Sequence, residues 1–486
     1  MLNLSSPTLR KTIGVLFGAG MLAAASSATA APLAAGTVGK TVANYLMSTW
    51  PNLDDYSCGT KCFSLNYDVV PATPNPKFWE YTNGVPLLGI WKLYERTGNV
   101  AYYNYVKKFV DTYVDANGVI DYSKINPATG AKTTNDPTIQ DTIQPALLLF
   151  GLYEKTKDAR YLKAMTRVRN TVDQIKTNSA GAFWHKPSYA NEQWLDGIYM
   201  TEPFLVRYAT QYANSVKAGD AATAYDIATK QIKLMHEHTF NASKNLHYHG
   251  WNGAADGVWA GLDAAKGKVP PLPTQQVSPI LWSRSIAWYF VGLVDTLEYL
   301  PKTHADYNRI YSIVNYIADG LTRQQDTTTG LWWQVIDVRN NKLPSNGGYP
   351  GEQVAAQPNF LETSASALFA YGMAKGARIG LFDDGAKAVA KKAWAGVKSK
   401  IDISGSNVNI HGTVVGMSLG GTYNAYTNVD FRSNLTSGEL PAPKAQCSTV
   451  PPAYTSWPIA CKYVYVRDNV PQGFGAVLYA ASELEF

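Results

Sequence analysis

The chain reads as an all-α protein, an (α/α)6 barrel in which about six helical hairpins close into a toroid. Three observations predict this. The segment Leu93-Tyr94-Glu95-Arg96-Thr97-Gly98 is echoed by Leu152-Tyr153-Glu154-Lys155-Thr156-Lys157, and each copy is followed by a tyrosine-bearing amphipathic stretch. Gly or Asn turns with aromatic or apolar followers recur after those stretches. Convincing alternating strands are few between them. One hairpin cannot bury its own apolar face, so stacked copies imply a single large domain rather than several small ones.

The elements follow in order. Residues 1–30 have the layout of a secretory signal, with basic Arg10-Lys11, an apolar stretch from Ile13 to Ala25 and the small-residue site Ala28-Thr29-Ala30. They are set aside, leaving 31–486 as the domain and an exported product, periplasmic or extracellular. Trp79-Glu80-Tyr81 opens the first inner helix; its partner runs from Tyr102 to Val114 and ends at Asn117-Gly118-Val119-Ile120. The second hairpin takes Ala146 to Leu152 and Tyr161 to Ile175, then turns at Gly181-Ala182-Phe183-Trp184. Ile198 to Tyr208 and Ala221 to Glu237 lead to Asn245-Leu246-His247-Tyr248-His249. Tyr307 to Arg323 leads to Thr329-Gly330-Leu331-Trp332-Trp333, and a last pair spans Ser364 to Gly376 and Gly385 to Ile401. Two regions break the pattern, near 57–77 and 420–462; rich in turn formers, they read as loop insertions framing a pocket mouth. They hold Cys58 with Cys62 and Cys447 with Cys461, disulfide candidates in an exported chain, although other pairings stay open. No histidine stands near either pair, which argues against zinc.

The balance of 43 basic against 37 acidic residues, two of the former being Arg10 and Lys11, includes no basic run that would track a nucleic-acid backbone. No stretch after the leader reaches the roughly 18 uninterrupted apolar residues of a membrane span. With 13 Trp and 31 Tyr beside only 16% charged residues, rings are available to stack on sugars, although a large core also consumes them.

Chemistry concentrates at a few carboxylates. Asp196 lies in the aromatic and apolar run Trp194-Leu195-Asp196-Gly197-Ile198-Tyr199-Met200, ten residues after Phe183-Trp184-His185-Lys186. A carboxylate there is either paired or used for its proton, which suggests an acid catalyst; the plain alternative is a helix cap. Asp141, in Gln140-Asp141-Thr142 ahead of the next apolar run, occupies the equivalent place and has the same two readings. Two such acids across a pocket divide the work, one holding a proton and one ionised. Arg284, between Trp282 and Trp288, suits a sugar carboxylate or else bridges helices. His236-x-His238 and His247-x-His249 lack a supporting acid at helical metal spacing, so neither a metal nor a cofactor is expected. Glu362 or Thr363 caps a late helix. No nucleophile elbow, phosphate loop or dinucleotide fingerprint is present.

Taken together, Trp79-Glu80-Tyr81-Thr82-Asn83-Gly84, Gln140-Asp141-Thr142, Phe183-Trp184-His185-Lys186, Gln193 to Met200, Leu281-Trp282-Ser283-Arg284, Leu361 to Ala367 and Pro471-Gln472-Gly473-Phe474-Gly475 resemble glycoside hydrolase family 105, the unsaturated rhamnogalacturonyl hydrolases, close to the unsaturated glucuronyl hydrolases of family 88. The resemblance covers most of the mature chain. It implies hydration of the C4=C5 double bond that pectin-cleaving lyases leave on a terminal uronic acid. Asp196 would be the acid and the base that activates water, with Asp141 assisting. His185, Lys186 and His249 would orient substrate or water, Arg284 would meet the uronate, and Trp79, Tyr81, Trp282 and Trp288 would line the sugar. The partner implied is an acidic oligosaccharide. The leader and the two cysteine-bearing insertions depart from the family pattern and bear on which sugar follows the uronate. A conventional inverting glycosidase acting on a saturated sugar, or a glycan-binding protein without turnover, are the competing readings.

Overall fold

The same short sequence closes each of the first two hairpins. Thr97 donates its hydroxyl to the carbonyl of Leu93 and accepts from the amide of Asn99, whose side chain accepts from the amide of Ala101 to start the next helix. Thr156 and Asp158 repeat these bonds with Leu152 and Arg160. Between them stands a left-handed residue, Gly98 at φ 68° in the first copy and Lys157 at φ 56° in the second. A Cβ in that conformation crowds the backbone, which glycine avoids. Lys157→Gly is therefore expected to raise stability by about 0.5–1 kcal/mol, read as a higher urea midpoint at unchanged slope. A lower midpoint would mean that the Lys157 ammonium, 5.5 Å from the Tyr153 ring centroid, matters more than the strain.

The computed structural model describes residues 37–51, 79–125, 132–254, 276–278, 281–338, 359–414, 466–467 and 469–486; the leader, both insertions and all four cysteines lie outside them. Within the unit Ala35–Phe486 the main helices are α1 (Thr37–Thr49), α2 (Tyr81–Thr97), α3 (Val100–Tyr113), α4 (Leu147–Thr156), α5 (Ala159–Val172) and α6 (Leu195–Tyr208). They continue with α7 (Asp220–Thr239), α8 (Ser283–Tyr299), α9 (Tyr307–Gln324), α10 (Thr363–Arg378), α11 (Asp384–Lys398) and α12 (Pro471–Leu484). These bounds lie within a few residues of those read from periodicity, except that Ile401 begins a strand instead of ending a helix.

The even-numbered helices form the inner ring. α2 packs on α12, α12 on α10, α10 on α8 and α8 on α6; α6 meets the turns Gln140–Thr142 and Gln144–Ala146 that lead into α4, and α4 returns to α2. The odd-numbered helices lie outside, α3 on α2, α5 on α4, α7 on α6, α9 on α8, α11 on α10 and α1 on α12. This is the (α/α)6 barrel. Burial follows from position: every residue of α8 from Ser283 to Leu297 is buried. α9 buries only the stripe Tyr307, Ile310, Ile313, Val314, Ile317, Gly320 and Leu321, one face of a 3.6-residue period. The amide of Gly39 on α1 donates to the Glu485 carboxylate just beyond α12 at 2.9 Å, joining the two ends of the described chain.

Outer helices α3, α5, α7, α9 and α11 are each followed by a turn through a left-handed residue, at Gly118, Gly181, Asn245, Gly330 and Gly405. Short antiparallel pairings form around four of them, Val114 with Ile120, Thr177 with Phe183, Phe240 with His247, and Ile401–Ser404 with Asn407–Ile410. Among the described residues the strands are two-stranded ribbons, not a continuous sheet. Two ribbons cross between repeats and lead into inner helices: Glu192–Trp194 pairs with Gly250–Asn252, placing Trp194 opposite Gly250, and Trp332–Trp333 pairs with Leu361–Glu362.

Candidate active site

Asp141 lies in the 3-10 turn Gln140–Thr142, not at the head of an α-helix as the apolar run after it suggests. Gln144-Pro145 intervenes as a second tight turn before α4 starts at Leu147. The Asp141 carboxylate is buried, 2.6 Å from the Lys186 ammonium and 3.5 Å from His185 Nε2. His185 reaches it because its amide donates to Glu192 O and its carbonyl accepts from the amide of Gln140, tying the aromatic turn to both neighbours.

Asp196 is the second residue of α6, whose cap position is Trp194 and carries no side-chain cap bond, so the capping alternative fails. The Trp194–Gly250 register brings in the partner: the amide of Leu195 donates to His249 O at 2.9 Å, and His249 Nε2 stands 3.0 Å from Asp196 Oδ2. His249 is fully buried while the Asp196 side chain keeps 14% exposure, so the carboxylate is the accessible member of the pair. Gly197 lets the turn come close, since a Cβ there would lie 2.5 Å from Gln140 Oε1.

Arg284 is the second residue of α8, again following an uncapped tryptophan, Trp282. Its guanidinium donates to the Val414 carbonyl and approaches Ser364 Oγ at 3.4 Å, while its centre lies 5.1 Å from the Trp282 ring. Arg284 thus does bridge elements. Its charge also helps to hold the Asp196 carboxyl below its ordinary value. Beneath it Glu362 caps α10, accepting from the amides of Ser364, Ala365 and Val414 and from the Ser364 hydroxyl. Trp282 meets His249 edge-on at 4.8 Å.

Three of the four expected ring contacts lie deeper than a pocket wall, Trp282 being as fully buried as Trp79 and Trp288. Trp79 is fully buried, stacks on Phe109 and donates its indole N–H to Thr142 O at 2.9 Å, so it supports the Asp141 turn from behind instead of meeting a sugar. Trp288 is buried and stacks on Tyr199 at 4.7 Å; Tyr81, at the start of α2, meets its edge and is the more exposed of the two. The residue that sequence reading missed is Trp194. Its ring stacks on His185 at 4.4 Å and on Tyr189 at 4.9 Å, and meets His249 edge-on at 5.3 Å, joining the Asp141 and Asp196 halves. Its place beside Asp196 is a signal, but the contact depends on pairing with Gly250 more than fifty residues later.

The electrostatics amend one expectation. Burial pushes the Asp196 carboxyl upward, but His249, with His185 and Arg284 behind it, outweighs burial and holds the group below its ordinary value. A dry pocket alone therefore does not keep Asp196 protonated, because the hydrogen bond and charge of His249 beside it favour the ionised form. Burial lowers His185 to about 4, so it is neutral at pH 7, whereas Asp141 and Glu80 overcome burial to raise Lys186. His185 Nδ1, His249 Nδ1, Trp184 Nε1 and Trp282 Nε1 are buried with no hydrogen-bond partner among the described residues.

The other histidines are engaged elsewhere: His236 Nδ1 bonds His247 Nε2 at 2.9 Å, and His238 stacks on Trp251. Burial lowers His236 to about 4 and His247 well below its usual value. Depressed histidines favour folding above the unfolded pKa of about 6.5, and that contribution is lost as pH falls toward their folded values. With His185 included, unfolding near pH 5 is expected to take up roughly two to three protons from these groups, steepening the fall of melting temperature with acid. A melting temperature flat between pH 6.5 and 4.5 would show that these rings are not buried neutral.

Comparison with known proteins places the chain among carbohydrate-active relatives. The sequence profile described as Glycosyl Hydrolase Family 88 matches residues 58–449. Protein Atu3128 of Agrobacterium fabrum is 35% identical over 136 residues, 28% of this chain and 46% of that protein, so the chain spans about half the length of this relative. The unsaturated rhamnogalacturonyl hydrolase YesR of Bacillus subtilis is 23% identical over 274 residues, 54% of this chain and 66% of YesR. In fold, a C. acetobutylicum glycoside hydrolase from family 105 superposes with a TM-score of 0.65 at 23% identity, covering 92% of this chain and 98% of that one. A possible family 105 member from Salmonella enterica gives 0.62 at 19% identity, covering 93% and 95%.

Proposed function

The chain belongs to glycosyl hydrolase family 88, and from that membership we propose that it removes an unsaturated, C4=C5 uronic acid from the non-reducing end of pectin-derived rhamnogalacturonan oligosaccharides. The observation that carries the reading is the Asp196–His249 pair at 3.0 Å, partly open to solvent and within reach of the Arg284 charge. Hydration of a vinyl ether needs a proton for C4 and water for C5. Asp196 in its protonated form, oriented by His249, gives its proton to C4 as the double bond gives up its electrons. Positive charge develops at C5 and the ring oxygen, where a carboxylate left behind is stabilising and draws a proton from the attacking water. The C5 hemiketal opens, leaving a C1 hemiacetal that expels the remaining saccharide as an alcohol. Arg284 meets the uronate, Asp141 clamped by Lys186 assists, Tyr81 offers ring surface to the sugar, and the buried Trp194 braces His185 and His249. The leader-like first thirty residues support placing this reaction outside the cytoplasm, where lyase products arise.

The decisive experiment incubates the protein with unsaturated uronyl-rhamnose disaccharide from a pectin lyase digest and follows the ultraviolet absorbance of the double bond. The absorbance should decay as rhamnose is released. Release from saturated substrates with no decay would instead identify a conventional glycosidase. Arg284→Lys keeps the charge and loses the planar fork, so KM should rise about tenfold or more while kcat changes less. A fall in kcat at unchanged KM would remove Arg284 from uronate binding.

A further inference from the structure

At the end of the barrel remote from Asp196, a cavity of about 310 Å³ draws its wall from all six inner helices, with Lys92 on α2, Leu147 on α4, Arg207 on α6, Asp295 on α8, Lys375 on α10 and Glu483 on α12. Lys92 stands eleven residues beyond Tyr81 on α2, about 16 Å along the helix axis, so this space is separate from the site above. Three of its four acids, Asp295, Glu298 and Glu483, are already paired with cations. Lys375 lies 2.7 Å from both Asp295 and Glu298, Glu483 receives Arg378 at 2.8 Å and Arg96 at 3.0 Å, and Glu95 accepts from Trp91 Nε1. Arg207 turns outward to Glu154 at 3.1 Å. Lys92 is the cation left over: it forms no ion pair among the described residues, and its ammonium is held by the faces of Tyr371 at 5.0 Å and Tyr479 at 5.2 Å.

We propose that this basal cavity is an anion site in which Lys92 receives one oxyanion, a carboxylate or a phosphate, of a molecule no larger than a monosaccharide. The volume lies at the small end of ligand pockets, about 300–1,000 Å³. Tyrosine faces stabilise an ammonium but accept none of its N–H bonds strongly, so its donors remain for a ligand. Burial, with repulsion from Lys375, pulls Lys92 below the usual lysine range against Asp295, Glu95 and Glu298. A bound anion would relieve that cost.

The test is acetylation of the full chain by acetic anhydride at constant ionic strength, mapped by peptide mass spectrometry, with inorganic phosphate, galacturonate or glucose present. At about ten times its Kd, an anion should slow labelling of Lys92 about tenfold and leave the exposed Lys387 unchanged; neutral glucose should do nothing. Protection by phosphate alone assigns an inorganic ligand, and protection by galacturonate alone a sugar acid. Calorimetric stoichiometry with the protecting anion should then be one site lower in Lys92→Met than in wild type and retained in Lys92→Arg. Labelling unaffected by either anion, or equal stoichiometry in Lys92→Met, overturns the proposal.

Discussion

Asp196→Asn is expected to reduce turnover of the unsaturated disaccharide by about 10²–10⁴-fold while leaving the fold and ligand binding in place. The amide keeps the shape of the carboxylate beside His249 and does not disturb the start of α6, where Asp196 makes no cap bond. What is lost is a group able to deliver a proton to carbon and then take one from water. Binding of substrate to the variant, measured by calorimetry, separates this from misfolding. The pH profile supplies the second check. Because Asp196 is held below its ordinary value, the protonated form is favoured only on the acidic side, and activity should decline as pH rises toward neutrality and beyond. Near-normal turnover in Asp196→Asn, or an optimum in the alkaline range, would take the proton source away from this pair.

Glu362→Ala is expected to cost about 3–5 kcal/mol of stability, among the largest effects of any single substitution outside the hydrophobic core. The carboxylate is fully buried and accepts from three amides and one hydroxyl whose residues are buried too. Removing it leaves those donors buried and unpaired. The damage would extend to the site, because the amide of Val414 is one of the four donors and the carbonyl of Val414 holds Arg284. Glu362→Gln retains part of the acceptor capacity and should fall between wild type and Glu362→Ala in urea unfolding. A loss below about 1 kcal/mol for Glu362→Ala would mean that the α10 cap rearranges freely.

The helices were legible because each has one dominant cause. Outer helices carry an apolar stripe, and the Thr97-Gly98-Asn99 and Thr156-Lys157-Asp158 turns repeat their bonds residue for residue. Asp141, Asp196, His185, His249 and Arg284 were also legible as candidates, and the fold gathers them at one rim. Local reading failed where a role depends on distant partners. Asp196 has the isolated look of an acid kept protonated by burial, yet His249, brought in by the ribbon, reverses the direction of its shift. Trp79 has the composition of a sugar platform, but Phe109 and Tyr113 on α3 enclose it. Trp194 stands in the same motif as Asp196 but outside the candidate set, although three rings converge on it.

The bond from Gly39 to Glu485 has a consequence for how the chain could be rewired. A ring closed by its last inner helix and its first outer helix has no intrinsic beginning, and the described ends lie side by side. A circular permutant of residues 37–486 that links Phe486 to Thr37 through a short bridge, with new termini at the exposed Lys217–Gly219 turn, would trace the same barrel with its ends at the approach to α7.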